Sequence, residues 1–464
     1  MSIENNSEGW SFDTDVVVVG SGGCGLAAAM AAAHGGAEVL VLEKLQRPWS
    51  NTARSGGMIP AAGTRFQEAA GIREQAEDFA KDIWHKNDSS SDHEMTLHMA
   101  KVSKVMVEWL VDDVGVDLEF INDFKYPGHS EFRMHAPPSR TGSALVADLR
   151  KAADTHDSVE VIIDAAGQDL VAEDGVVLGV VVRHGDQTER VRAKKVILAC
   201  NGFAGNPDMV KEYCPDIASA LYFGGEGNTG EGILWGKELG ADLAFMDAYQ
   251  SHASVAKPEG ILITYALIME GGFQVNQDGE RFGDESSGYS EHALAVLAQQ
   301  DGTAWDIYDE KLHRLGLKFD DYRDAIEADA IHKSDTIQEL AAKLGINADG
   351  LTETLEKYEA AARGDEQDSF GRADCSHLEP PFYGAKVTGA LFHTQGGLVV
   401  DQDARVLRAD GSPIPNLYAG GGVAAGLSGH GPAGYLSGNG LLTALGYGML
   451  AGKHASNSIR GARF

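Results

Sequence analysis

From Asp15 to Val19 the chain runs without a polar interruption through four valines. An unbroken β-branched run predicts a strand buried on both faces of a parallel sheet. Leu26 to Ala33 predicts a helix with small residues on every face. Glu38 to Leu42 predicts the next strand. Ala69 to Val114 carries a helical period. It predicts two amphipathic helices, with Asn87 to Asp92 as their turn and N-cap. Phe124 to Arg140 keeps no period and predicts an irregular loop able to line a pocket. Thr141 to Ser143 then caps a helix over Ala144 to Ala153. From Val159 the pattern changes, predicting strands over 159–163, 168–172, 176–183 and 189–199 as a β-meander. Ile233 to Leu239 predicts a helix. Ala248 to Glu285 predicts short strands with turns at Lys257–Gly260 and Asn276–Gly279. Ala293 to Ala362 predicts mainly helix, the body of an inserted domain. Leu441 to Ser456 predicts a long apolar helix.

Together these elements predict an α/β fold with a Rossmann-like parallel sheet. The chemistry begins in the first turn. Gly20, Gly22 and Gly25 form G-x-G-x-x-G between a strand and a helix, and Glu43 closes the next strand. Gly20 permits the tight turn, Gly22 lets a pyrophosphate approach the backbone, and Gly25 lets helix and strand pack closely. The helix N-terminus offers N–H groups and a positive dipole end to phosphates. An acid at the position of Glu43 takes ribose hydroxyls. The unit predicts dinucleotide binding. Lys44 follows the acid, and Thr52, Ser55, Gly56 and Gly57 continue as a polar glycine-bearing loop. Gly224 to Gly232 reads either as a second phosphate or sugar contact or as a flexible helix entry.

Composition narrows the function classes. The 464 residues allow two or three domains, and 57 glycines suggest several close backbone approaches to a ligand. A net charge of −31 disfavours nucleic acid and anionic membrane surfaces as partners. The four cysteines (24, 200, 214 and 375) show no metal or haem-attachment spacing, which fits a reducing compartment. Met1 to Asp13 is polar and acidic, unlike a signal peptide, and no run of apolar residues is long enough to span a bilayer. The expectation is a cytoplasmic protein without membrane insertion that passes electrons to a separate acceptor.

Six motifs in order carry a resemblance. They are the glycine turn with Glu43, Gln250-Ser-His252, Asn276-Gln-Asp-Gly-Glu-Arg-Phe282, His393-Thr-Gln-Gly-Gly397, Asn416-Leu-Tyr-Ala-Gly420 and Ser437-Gly-Asn-Gly440. The chain resembles the FAD-dependent flavoproteins of the fumarate reductase and succinate dehydrogenase family, which also contains the 3-ketosteroid dehydrogenases. The resemblance implies a split FAD-binding domain over 1–246 and 387–464, and an α+β capping domain over 247–386. It implies FAD, held non-covalently because no histidine or cysteine lies between Glu43 and Gly63. Asn201, Gly202, Gly421, Asn439, Leu441 and Leu442 join the expected cofactor contacts. His252, His393 and Gly438 are the expected substrate contacts.

Two departures from the family pattern redirect the chemistry. Tyr289 and Tyr435 stand where the fumarate reductases carry substrate-binding arginines. With Ser437 they resemble the Tyr, Tyr, Ser set of the Δ4-(5α)-3-ketosteroid dehydrogenases. A dicarboxylate needs fixed cations, whereas a neutral tyrosine hydroxyl suits a ketone oxygen or a proton relay. The leading expectation is therefore a ketone substrate, dehydrogenated or formed by reduction at its α,β carbons, with Tyr289, Tyr435 and Ser437 catalytic. Each has a plainer alternative: Tyr289 a pocket wall, Tyr435 a packing residue, Ser437 a helix cap. The runner-up is a reductase of an unsaturated carboxylate that draws its cation from Arg133 or Arg140. The third reading is a flavin-binding protein without turnover.

Overall fold

The computed structural model describes residues 9–47 and 49–461. Residues 1–8, most of the acidic leader Met1 to Asp13, lie outside them.

The first strand, Phe12–Val19, has its last four residues fully or almost fully buried. It runs parallel to Val39–Leu42 on one side and to Gln187–Leu198 on the other. Val159–Ile162 extends the parallel sheet beyond Val39–Leu42, and Pro413–Ala419 extends it beyond Gln187–Leu198. The meander reading is thereby corrected at its first strand. Val159–Ile162 follows the helix Gly142–Thr155, and that helix supplies the crossover a parallel strand needs. The true meander is Ala165–Glu173, Val176–His184 and the first half of Gln187–Leu198.

Two glycine-bearing helices cover one face. Gly23–His34 packs along Asn439–Gly461 at very close range. A Cβ at Gly448 would collide with the Cys24 carbonyl, and one at Gly452 with the Ala28 carbonyl. The C-terminal helix thus sits against the helix of the glycine turn because its contact face has almost no side chains. Its own N-terminus is brought close to the G-x-G-x-x-G loop.

Residues 249–394 supply a second sheet around the thirteen-residue strand Phe382–Thr394. That strand pairs with Tyr249–Ala256 and with Thr303–Asp309, and it crosses the expected boundary at 386/387. Ala293–Ala362 is mainly helical, as expected, but the strand Thr303–Asp309 interrupts it. All seven of its residues are buried, so no polar alternation betrays it. Asp306 breaks the apolar run yet is itself buried, accepting hydrogen bonds from Ser254 and, at 2.7 Å, from Gln274. Phe124 to Arg140 is mostly loop, as expected, but Met134–Ala136 forms a short strand between Ile59–Pro60 and Glu119–Ile121. The two helices expected before it are Ala76–Lys86 and His93–Trp109, the second capped by Asp92. No described helix is long and apolar enough to cross a membrane.

Candidate cofactor and substrate cavity

A continuous cavity runs from the first glycine turn to the second sheet. At one end its wall is mainly backbone. Gly20, at φ +110°, turns so tightly that a Cβ there would lie 2.5 Å from the Ala199 carbonyl oxygen. A Cβ at Gly25 would collide with the Gly20 carbonyl, so this glycine is required by helix-on-turn packing. Gly22 differs. A Cβ there would meet only Ser50, at an ordinary 3.4 Å, so the protein itself leaves room at this position. Gly22 also caps the helix without a side-chain hydrogen bond.

Glu43 is held rigidly beside the turn. One carboxylate oxygen accepts from the Ser21 hydroxyl at 2.7 Å and its N–H at 3.1 Å; the other accepts from the Leu45 N–H at 2.9 Å. Lys44 lines the cavity, but its ammonium is paired with Glu231 at 2.7 Å and donates to Thr229 at 3.0 Å. Thr52, Ser55, Gly56, Asn201, Gly421 and Leu441 also line the cavity, and so do Gly225 and Gly227 of the second glycine-rich segment. Cys24 and Cys200 face it as neutral thiols, since burial pushes both up to about 12.

Gly25, Gly57, Gly202, Asn439 and Leu442 are not among the lining residues. Gly57 and Gly202 press against Thr141 and Thr394, and Leu442 lies in the core. Asn439 is fully buried, and neither its amide oxygen nor its nitrogen has a partner. It stands between the lining residues Gly438 and Gly440. A buried amide left unsatisfied costs about 1–3 kcal/mol, and a polar ring edge would satisfy it. The open position at Gly22, the fixed carboxylate of Glu43 and the orphaned Asn439 amide together fit a flavin dinucleotide.

The other end is built from aromatic side chains. Pairing of Tyr249–Ala256 with Phe382–Thr394 sets His252 opposite Ala390 and His393 opposite Gln250. Tyr289 begins the helix Tyr289–Leu297, and Tyr435 and Ser437 lie in the loop that enters Asn439–Gly461. The Tyr289 ring lies 4.7 Å from His252 and 6.2 Å from Tyr435; His393 lies 5.7 Å from Tyr435. Ser437 and Gly438 complete this wall, with Tyr126 and Phe392 beside them. Sequence reasoning missed Tyr126 and Phe392, because a single aromatic in a loop or strand carries no local signal of a pocket.

Burial keeps these groups uncharged. It pushes His252 down to about 3 and His393 to about 4. The Ser254 N–H donates to Nδ1 of His252 at 3.1 Å, which places that ring's proton on Nε2. Nδ1 of His393 lies 2.8 Å from the Gln395 amide nitrogen and 3.4 Å from the Thr394 carbonyl oxygen, so either neutral tautomer finds a partner there. Burial also pushes Tyr435 up to about 12, against the opposing pull of hydrogen bonds from the backbone at Gly440 and Gly438 and from Tyr289. Tyr289 is raised further by burial and by facing Tyr435, while its hydrogen bond with Ser437 opposes that rise. The three expected catalytic hydroxyls therefore form one connected group, neutral at pH 7.

The arginines of the runner-up reading do not reach the cavity wall. Arg133 is almost completely buried and pairs with Glu74 and, at 2.6 Å, with Asp82. Its remaining nitrogen bonds Nδ1 of His129 at 2.8 Å, and Nε2 of His129 reaches the Ser437 carbonyl at 3.0 Å. Arg133 thus props the loop that carries Tyr435 and Ser437. Arg140 pairs with Asp123 at 2.8 Å. Arg281 is a structural anchor, bonded to Glu285 at 2.7 Å and to Asp368. Among described residues, no group of three or more His, Cys, Asp or Glu side chains could hold a metal ion.

Residues 15–441 match the FAD binding domain family. A probable fumarate reductase of Shewanella frigidimarina (strain NCIMB 400) is 31% identical over 97% of this chain and 76% of its own length. A 3-oxosteroid 1-dehydrogenase of Mycobacterium tuberculosis is 28% identical over 96% of this chain and 98% of its own. The crystal structure of 3-ketosteroid-Δ4-(5α)-dehydrogenase from Rhodococcus jostii RHA1, in complex with 4-androstene-3,17-dione, superposes with a TM-score of 0.75 and 28% identity. That match covers 98% of this chain and 100% of the other. The chain belongs to the FAD binding domain family of flavoproteins that includes fumarate reductases and 3-ketosteroid dehydrogenases, and is an FAD-dependent oxidoreductase acting on CH–CH groups.

Proposed function

We propose that the chain dehydrogenates, or forms by the reverse reaction, the CH–CH bond α,β to a ketone, of the 3-ketosteroid or cyclic-ketone type. The observation that carries this reading is the chemistry of the aromatic end. Two tyrosines, a serine and two neutral histidines converge there, offering hydroxyl donors and the Nε2–H of His252, with no pair of cations to clamp a dicarboxylate.

A ketone acidifies its α C–H, so a weak base suffices to remove that proton. Tyr435 is the proton acceptor in this reading, acting as the phenolate formed once its own proton has left to solvent. The backbone hydrogen bonds at Gly438 and Gly440 stabilise its phenolate more than its phenol. Tyr289, held by Ser437, donates a hydrogen bond to the ketone oxygen and supports the charge that develops there. His252 orients the ring system through its Nε2–H, and His393 packs beside Tyr435. FAD supplies the two-electron acceptor for the β hydride, leaving a C=C bond conjugated to the ketone. Glu43, the glycine turn and Thr52 would hold its nucleotide half, and Ser55 and Gly56 with Asn439 would hold the flavin half. In this account 247–386 is the capping unit, and the electrons pass on to a separate acceptor.

Steady-state assays with a saturated 3-ketosteroid and an artificial electron acceptor test the proposal. The expected product is the enone, with formation lost in Tyr435→Phe. Turnover of fumarate or succinate, with no enone from any ketone, would refute it.

A further inference from the structure

One cation on the cavity wall has no acidic partner among the described residues. Arg54 ends the short helix Asn51–Arg54 and lines the cavity, partly buried. Among the described residues no ion pair or side-chain hydrogen bond engages its guanidinium, and its Nε is buried without a partner. Lys44, the other cation on the wall among described residues, is neutralised by Glu231.

The position of Arg54 ties it to the aromatic end. Its guanidinium carbon lies 5.6 Å from the centre of the Phe223 ring. Phe223 stacks on Phe392 at 4.8 Å, and Phe392 on His252 at 5.3 Å. Thr52, two residues earlier, bonds the Gly23 N–H of the nucleotide turn at 3.3 Å. Residues two apart on a helix point about 200° away from each other. Thr52 therefore serves the nucleotide turn and Arg54 the opposite side, where the Phe223–Phe392–His252 wall leads to Tyr289.

We propose that Arg54 binds a carboxylate on the substrate, so that the ketone handled by Tyr289 and Tyr435 belongs to a keto acid. A planar guanidinium with free donors matches a carboxylate in two parallel hydrogen bonds. The phenyl ring of Phe223 beneath it fixes its plane and excludes water from one face. The carboxylate balances a charge that the described residues leave without an ion-pair partner. This assignment rests on the ketone reading of the same cavity and adds to it the second functional group of the substrate.

The test uses FAD-loaded wild type, Arg54→Leu and Arg54→Lys. The probes are a 3-ketosteroid with a side-chain carboxylate, its methyl ester, and the small pair 3-oxocyclohexane carboxylate and methyl ester. Binding is read from perturbation of the flavin spectrum, and turnover from enone formation. Flavin content and thermal unfolding establish that each variant is folded and loaded. The expected result is that wild type binds an acid at least ten-fold more tightly than its ester. Arg54→Leu loses that preference while keeping its affinity for the ester, and Arg54→Lys restores part of it. Equal binding of acid and ester by wild type would overturn the proposal. Loss of FAD from both variants would also overturn it, assigning Arg54 to the cofactor. An acid that binds through Arg54 but yields no enone would leave the carboxylate site standing and remove the ketone reading. Enone from the ester with no acid preference would do the reverse.

Discussion

The two ends of the cavity are made of different material. The nucleotide end is a backbone device. Gly20, Gly22 and Gly25 lie within six residues, and their lack of side chains is the working feature. The aromatic end is a side-chain device, assembled from His252, Tyr289, His393 and Tyr435 on four separate segments. A backbone site tolerates little substitution, because an added atom meets main chain at Gly20 and Gly25 and takes the ligand's space at Gly22. A side-chain site can change its substrate by exchanging one residue type for another while the fold stays. Tyrosines at two positions where the family resemblance leads one to expect arginines would be a change of that second kind.

The comparison breaks most visibly at Gly25. A Cβ there runs into the Gly20 carbonyl, so Gly25→Val is expected to yield no folded, flavin-loaded protein. Gly22→Ala meets only Ser50 and is expected to fold while retaining less FAD. Flavin content per chain and cooperative thermal unfolding measure both. A loaded Gly25→Val protein would contradict the backbone account.

Arg133 gives the next largest effect. Arg133→Met leaves Glu74 buried without its counter-charge, a loss of about 3–5 kcal/mol in stability. Ketone turnover falls as well, because the His129 prop under Ser437 is released. If Arg133 instead clamped substrate, carboxylate binding would fall with stability unchanged. Chemical denaturation separates the two.

Tyr435→Phe removes one oxygen from the aromatic end and nothing from the nucleotide end. Ketone turnover is expected to drop by about 10²–10⁴-fold, with FAD content and unfolding temperature preserved. An equal loss of FAD would mean that Tyr435 packs the cofactor and carries no proton.

The smallest effect is on pH dependence. His252 and His393 sit at about 3 and about 4, so turnover per folded enzyme should show no histidine titration near pH 6.5. Their contribution to stability has a definite sign. The unfolded chain binds protons that the folded chain refuses, so this contribution is present above pH 6.5 and lost as pH falls toward 4. Asp306, pushed up to about 7 by burial, works the other way. Its contribution is present below 3.8 and is lost as pH rises through 7. Unfolding temperatures of Asp306→Asn and wild type across that range check the sign.

The same division explains what could be read from the sequence. The glycine turn, Glu43 and the parallel strands beside them were legible because each is set by neighbours within a few residues. Tyr289 and Tyr435 became legible only as departures from a family pattern. Thr303–Asp309 interrupts a stretch that is otherwise mainly helical, and it carries no strand signal because a strand buried on both faces shows no alternation and Asp306 disguises its apolar run. Arg133 and Arg140 invited a substrate role, since their acidic partners Glu74, Asp82 and Asp123 come from other segments. Arg54 carried no signal at all until Phe223 and the cavity wall were placed around it.

Anaerobic bleaching of the flavin absorbance tests the central claim most directly. The FAD-loaded enzyme is mixed in turn with a saturated 3-ketosteroid, a keto acid and succinate, without any electron acceptor. The account predicts rapid bleaching by a ketone, none by succinate, and none by the same ketone in Tyr435→Phe. Bleaching by succinate with no response to any ketone would contradict it.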